Sequence, residues 1–185
     1  MKHALEKVGF NSTTKSSPSR LKEADAIVLP GVGNFSAALK NLEPLKEEIC
    51  DIAKDGIPVL GICLGMQLFF PESEEGEGEG LAFFQGKSVQ LPSSVKVPHM
   101  GWNTLHIVKQ NELLEGVQDE SYVYFVHSLY PVPMDKDIIC AETTYGTTFA
   151  SAIVKPNIYG TQFHPEKSDK LGLRILKNFF EITKR

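Results

Sequence analysis

Cys63 stands in the segment Gly61-Ile62-Cys63-Leu64-Gly65, with glycine two residues before it and two after, directly behind the apolar run 58–62. That run reads as a buried strand, and residues 64–70 have the composition to begin a helix, so the cysteine falls at a strand-to-helix turn. This is the layout of a nucleophile elbow. The reactive side chain projects from a sharp, strained turn, and bulky flanking residues would collide across it. The free N–H groups at the start of the helix would favour thiolate over thiol, and the N–H of Leu64 would bond an oxyanion. Most buried cysteines are small apolar core residues, and that reading stands for Cys50 and Cys140, which lack such surroundings.

A cysteine nucleophile needs a base, and the base needs a group that fixes its tautomer and stabilises its charge. Gly160-Thr161-Gln162-Phe163-His164-Pro165-Glu166 offers both at the end of a β-prone run. Alternate residues of an extended chain point the same way, so His164 and Glu166 are expected side by side, with Pro165 keeping the backbone extended between them. A structural histidine beside a proline turn is the plainer alternative. Donors for a developing oxyanion are expected from Gly31-Val32-Gly33, which follows a short strand at 26–29 and so shares the carboxyl edge of the sheet with Cys63. Alone that glycine pair is a weak signal, because it lacks the full Rossmann or Walker spacing. No C-x-x-C pair and no H-E-x-x-H helix is present, so neither a metal nor a cofactor is expected.

The elements that must position these residues alternate. Ala4, Leu5 and Val8 give residues 1–8 one apolar helical face, with Gly9 placed to end the helix. Leu45, Ile49, Ile52 and Ala53 recur at helical spacing up to Gly56, just ahead of the 58–62 strand. Strand, helix and strand in that order indicate a parallel sheet. Short β-prone runs at 87–91, 122–126, 138–142 and 158–162 extend it with mixed or antiparallel strands. Leu171, Ile175, Leu176, Phe179 and Ile182 form the apolar stripe of a closing helix. The acidic, glycine-rich stretch 72–79 reads as a solvated loop without function.

Composition bounds the partners. The chain has 185 residues, 42% of them hydrophobic, enough for one sizeable core, and is expected to form a single α/β domain over 1–185. Nineteen basic against 23 acidic residues give a net charge of -4, which offers no electrostatic reason to expect nucleic acid or an anionic membrane. The longest apolar run is broken by Gly61, Gly65 and Gln67 and is too short to span a bilayer. Three widely spaced cysteines suit free thiols in a reducing, cytoplasmic setting.

In their order along the chain, P-G-V-G, G-I-C-L-G-M-Q and F-H-P-E resemble the triad-type (class I) glutamine amidotransferases. Pro98-His99-Met100-Gly101-Trp102-Asn103, Phe125-Val126-His127-Ser128 and Gln162-Phe163-His164-Pro165-Glu166-Lys167-Ser168 are similar to the branch of that family that serves a cyclase in histidine biosynthesis. The resemblance implies a flavodoxin-like, mixed and largely parallel sheet flanked by helices. It implies that Cys63 attacks the glutamine carboxamide, that His164 carries the proton to departing ammonia and that Glu166 orients His164. By the same resemblance Gly31, Val32, Gly33, Leu64, Gln67, Ser128 and Leu129 hold glutamine or its oxyanion. Pro98, His99, Met100, Trp102, Asn103 and Lys167 would then face a cyclase subunit in a heterodimer. The alternatives are a glutaminase serving a different synthase, such as that of the pyridoxal phosphate pathway, and a catalytically silent interaction subunit.

Two departures accompany the resemblance. Family members begin with a hydrophobic strand and a glycine-asparagine turn, whereas this chain starts at or inside the first helix. A product lacking that strand, with lowered stability or activity, is therefore expected. Leu129 stands where the family usually carries tyrosine.

Overall fold

The computed structural model describes residues 1–14 and 21–185. Helix α1 (Lys2–Val8) closes on Gly9, whose φ of 113 is the left-handed cap that the sequence predicts. Strand β1 (Ile27–Gly31) follows, then helices α2 (Phe35–Leu42) and α3 (Lys46–Lys54). Phe35, Leu39 and Leu42 supply the buried face of α2, and the Asn34 side chain accepts from the Ala37 N–H to cap its start. Strand β2 (Val59–Cys63) is buried at every position and passes directly into α4 (Leu64–Gln67), a single turn rather than the longer helix that 64–70 suggests.

Beyond α4 the chain is mostly strand: β3 (Glu72–Ser73), β4 (Gly86–Gln90), β5 (His99–Ile107), β6 (Ser121–His127), β7 (Leu129–Pro133), β8 (Ile139–Thr144), β9 (Thr148–Lys155) and β10 (Ile158–Thr161). Helix α5 (Asp169–Ile182) ends the fold, with Ile175, Leu176, Phe179 and Ile182 buried along the expected stripe. Each such side chain contributes about 2 kcal/mol of apolar burial.

Seven strands form one mixed sheet in the order β1-β2-β10-β9-β8-β5-β6, and β3-β4-β7 form a second, smaller sheet. In the large sheet, parallel pairing is confined to β1 with β2 and β2 with β10, while the strands from β5 to β9 pair antiparallel. The parallel share is thus smaller than the early strand-helix alternation suggests. Strands β8, β9 and β10 are joined by short turns, which permit antiparallel pairing and leave no length for a crossover. One core cluster joins Leu5 and Val8 of α1 to Ile175, Leu176 and Phe179 of α5; the other joins Phe35 and Leu39 of α2 to Ile49 and Ile52 of α3. Helices therefore cover both faces, and the carboxyl ends of the parallel strands are left open between them. No helix among the described residues is long and apolar enough to cross a membrane.

Candidate active site

The parallel register brings the sequence-predicted residues to one edge. Gly31 at the end of β1 is the cross-strand partner of Cys63 at the end of β2. Thr161 of β10 pairs with Ile62 on the other side, so the chain leaves β10 at the same edge, where Gln162 Nε2 reaches the Cys63 sulfur two residues ahead of His164. Cys63 has φ 54 and ψ -109, a strained conformation for a residue with a side chain, and this strain turns it out of the strand. The two glycines make the bend possible by their lack of bulk. A Cβ on Gly65 would stand 1.7 Å from the Leu29 carbonyl oxygen, and one on Gly61 would stand 2.6 Å from the Phe69 ring and 2.7 Å from the Gly65 carbonyl.

His164 Nδ1 lies 2.9 Å from Glu166 Oε1. A carboxylate can only accept, so Nδ1 carries the hydrogen and Nε2 is left as the basic nitrogen. That Nε2 is buried and has no hydrogen-bond partner among the described residues. The route to this pair differs from the extended geometry expected from sequence. His164 caps a 3-10 turn over Pro165–Lys167, and the turn folds Glu166 back onto the imidazole. Burial pushes the Glu166 carboxyl up, but the hydrogen bond and charge of His164 outweigh it and hold the carboxyl below its ordinary value.

Burial opposes the thiolate form that the sequence analysis expects at the bend. Burial pushes Cys63 up to about 12, against the smaller opposing effect of the Leu64 N–H. A helix of only one turn adds little to that N–H. The sulfhydryl instead donates to the Val126 carbonyl at 3.6 Å, and Gln162 Nε2 donates to the sulfur at 3.5 Å. Alkylation of Cys63 by iodoacetamide, followed by peptide mass spectrometry, is expected to rise about tenfold per pH unit between roughly pH 7 and pH 10 without levelling off. A plateau near pH 9 would show an ordinary thiol and contradict the burial effect.

The cleft in front of the sulfur has a volume of about 300 Å³ and is lined by Val32, Gly33, Leu64, Gln67, Ser128 and Leu129, among others. Gly31 lies behind this wall, where a Cβ would meet Leu64 at 2.9 Å. Gln67 Nε2 donates to the Leu129 carbonyl at 2.9 Å and to Gln162 Oε1 at 3.2 Å, so both of its amide hydrogens are committed within the protein.

Glu75 has no counterpart among the sequence-predicted site residues. It lies in the acidic stretch expected to be an idle solvated loop, yet it lines the cleft with Cys63, and its Oε2 accepts from the Phe35 N–H at 2.6 Å. The stretch is tied down elsewhere as well: Lys46 Nζ bonds the Glu79 carbonyl, and Lys87 pairs with Glu74. A carboxylate among repeated glutamates gives no local signal of being the one that turns inward.

The expected partner-facing residues split by strand alternation. Met100 and Trp102 of β5 point outward, 62% and 52% exposed, beside Tyr122 of β6 at 62%. Trp102 packs edge-on against Tyr124 with centroids 6.0 Å apart, and Lys167 Nζ lies 5.8 Å above the Tyr124 ring. Pro98 is half-buried and lines the cleft, and Asn103 points to the inner side. His99 departs from the expectation: it is 3% exposed, beneath the strand rather than on it. Among the described residues, metal-ligand atoms converge at His106, Asp119 and Glu120, all exposed. That group sits at the far end of β5 from the cleft, and its Asp119 Oδ1 already accepts from the Ile107 N–H at 2.6 Å.

The sequence profile of the glutamine amidotransferase class-I family matches residues 1–183, and the chain belongs to that family. Its fold is shared with the crystal structure of a glutamine amidotransferase, with a TM-score of 0.77 at 17% identity over 100% of this chain and 92% of that one. The structure of PurLQS from Thermotoga maritima shares it too, with a TM-score of 0.73 at 20% identity over 97% and 87%. Within the family its relatives include imidazole glycerol phosphate synthase subunits HisH. The chain is 51% identical to that of Methanocaldococcus jannaschii, over 90% of this chain and 85% of the relative. It is 52% identical to that of Pyrococcus furiosus, over 89% and 85%.

Proposed function

We propose that the chain hydrolyses glutamine to glutamate and ammonia and delivers the ammonia to a HisF-type cyclase subunit, with which it forms a heterodimer in the cytoplasm for histidine biosynthesis. The observation that carries this reading is the thiol at the strained turn of β2, opening on a cleft, together with an ordered His164–Glu166 pair just past the end of the neighbouring strand β10 whose buried Nε2 has no partner among the described residues. The kinship with HisH subunits supports the pathway and its product, imidazole glycerol phosphate.

Cys63 loses its proton to His164 Nε2 as the sulfur forms a bond to the carboxamide carbon. The imidazolium returns that proton to the amide nitrogen when the C–N bond breaks, releasing ammonia and leaving a γ-glutamyl thioester. Water, deprotonated by the same nitrogen, then adds to the thioester and expels the thiol, giving glutamate. Glu166 stabilises the imidazolium in both halves. The Leu64 N–H and the backbone of Val32 and Gly33 are the donors for the oxyanion, with Gly31 letting that turn pack closely on Leu64. Ser128, Leu129 and Gln67 hold the amino-acid end of glutamine, and the Glu75 carboxylate accepts from its α-ammonium.

Ammonia lost to water becomes unreactive ammonium, so a docked acceptor is needed. The outward face of Met100, Trp102 and Tyr122 is an aromatic patch suited to that contact, with Lys167 at its margin. Glutamate release is expected to rise strongly when the cyclase and its ligand are added, and Glu75→Gln is expected to raise KM for glutamine about tenfold with a smaller change in kcat. Release that is indifferent to the cyclase would favour another synthase as acceptor. An unchanged KM for Glu75→Gln would remove that residue from substrate binding.

A further inference from the structure

A second cluster of titratable side chains lies beside the cleft and takes no part in the chemistry above. His99 of β5 and His127 of β6 are cross-strand partners, 3% and 5% exposed. His99 Nδ1 is 3.0 Å from His127 Nε2, His127 Nδ1 is 2.8 Å from the Leu129 carbonyl, and His99 Nε2 is 3.3 Å from Asn103 Nδ2. His99 is also clamped between rings, stacked on Phe125 at 4.8 Å and on Tyr145 at 4.0 Å.

The direction of these bonds follows from which atoms can donate. A carbonyl only accepts, so Nδ1 of His127 carries a hydrogen; in a neutral ring its Nε2 must then accept, which places a hydrogen on His99 Nδ1. His99 Nε2 in turn accepts from the Asn103 amide, whose other hydrogen goes to the Thr144 carbonyl at 3.1 Å while its oxygen accepts from the Thr104 N–H at 2.8 Å. Burial disfavours the charged form of both rings: it pushes His127 down to about 3 against the smaller opposing effect of the Leu129 hydrogen bond, and His99 down to about 4. The chain of donors ends on the Leu129 carbonyl, which also receives the Gln67 amide, and Gln67 leads through Gln162 to the sulfur of Cys63.

We propose that His99 and His127 are positioning residues for glutamine hydrolysis, forming a one-way hydrogen-bond relay from Asn103 that fixes the Leu129 carbonyl and, through it, Gln67 and the Ser128 side of the cleft. This rests on the glutaminase reading of the same cleft. Ser128 is the junction between β6 of the large sheet and β7 of the small one, so its placement depends on ties such as this one and the bond from the Leu91 N–H to its carbonyl at 2.9 Å. His127 lines the cleft, but neither ring hydrogen-bonds Cys63 or His164, so the relay is expected to govern how tightly glutamine is held rather than the bond-breaking step.

Two measurements on the full chain test this. Long-range proton-nitrogen correlation of the imidazoles is expected to show both rings as neutral Nδ1–H tautomers that do not titrate between roughly pH 5.5 and pH 8. In glutaminase assays with the cyclase subunit, His127→Leu is expected to raise KM for glutamine about tenfold with kcat within about threefold. His127→Asn keeps a donor where Nδ1 stands and is expected to recover most of that loss. An Nε2–H tautomer or a ring that protonates near neutrality overturns the relay. So does an unchanged KM in the leucine variant, or an asparagine variant no better than leucine. A parent chain that gives the expected imidazole signals yet turns over no glutamine refutes the glutaminase reading instead, so the two failures are distinguishable.

Discussion

Cys63→Ala is expected to lower glutamate release from glutamine by about 10⁴-fold or more while the protein stays folded. The covalent route needs a nucleophile at the bend of β2, and neither of the other thiols can replace it. Cys50 lies in α3 with its sulfur 4.0 Å from the Leu81 carbonyl, and Cys140 lies in β8 against the Ile138 carbonyl. Alanine takes the same strained backbone without added bulk, and the lost sulfur contact costs about 1 kcal/mol. Cys63→Ser tests the chemistry further: it preserves the shape of the side chain, but a buried hydroxyl gives up its proton less readily than a thiol, so a comparable loss is expected. Glutamate production and thermal unfolding should be measured together. An alanine variant with undiminished release and an unchanged midpoint would remove the thiol from the mechanism.

Gly65→Ala is expected to destabilise the protein by about 3 kcal/mol or more, a fall in Tm of roughly 10 °C for a chain of this size. The new methyl group would sit 1.7 Å from the Leu29 oxygen and 2.8 Å from its carbonyl carbon, both backbone atoms of β1. No rotamer change can relieve that overlap. Either β1 moves away from β2, breaking the pairing that aligns Gly31 with Cys63, or the first turn of α4 unwinds. Both outcomes damage the cleft, so activity should fall in proportion to, or beyond, the lost stability. Differential scanning calorimetry decides the matter: an unchanged midpoint would mean that the close approach of α4 to β1 is not what holds the bend.

The elbow is legible in the sequence because its constraints are local: an apolar strand, a turn and glycines where side chains would collide. The closing helix is legible for the same reason, since Ile175, Leu176 and Phe179 are buried at helical spacing. Helix α2 escapes such a reading even though Asn34 and the Phe35, Leu39 and Leu42 pattern signal it, because the glycine turn just ahead of it dominates the local pattern. Strand β5 is harder to see. Gly101 and Asn103 weaken its β-propensity, and its register is set by β6, a partner that sequence order does not reveal. The balance at the thiol is not legible either: burial raises it, the helix that follows is only one turn long, and sequence does not give that length. His164 and Glu166 meet as expected, but through a turn instead of an extended segment. Glu75, Gln162 and His127 make their contacts across distant segments; the last two stand in motifs of the family resemblance, but no local pattern gives any of the three those partners.

On the proposed reading the two faces of β5 would carry different duties, with Met100 and Trp102 on one side and His99 and Asn103 on the other. A pleated chain cannot be shifted by a single residue without exchanging its sides. Deleting one position between Pro98 and Trp102 would therefore push indole inward and imidazole outward in the same stroke, forfeiting docking and substrate grip together. This stretch should consequently accept replacements far more readily than insertions or deletions.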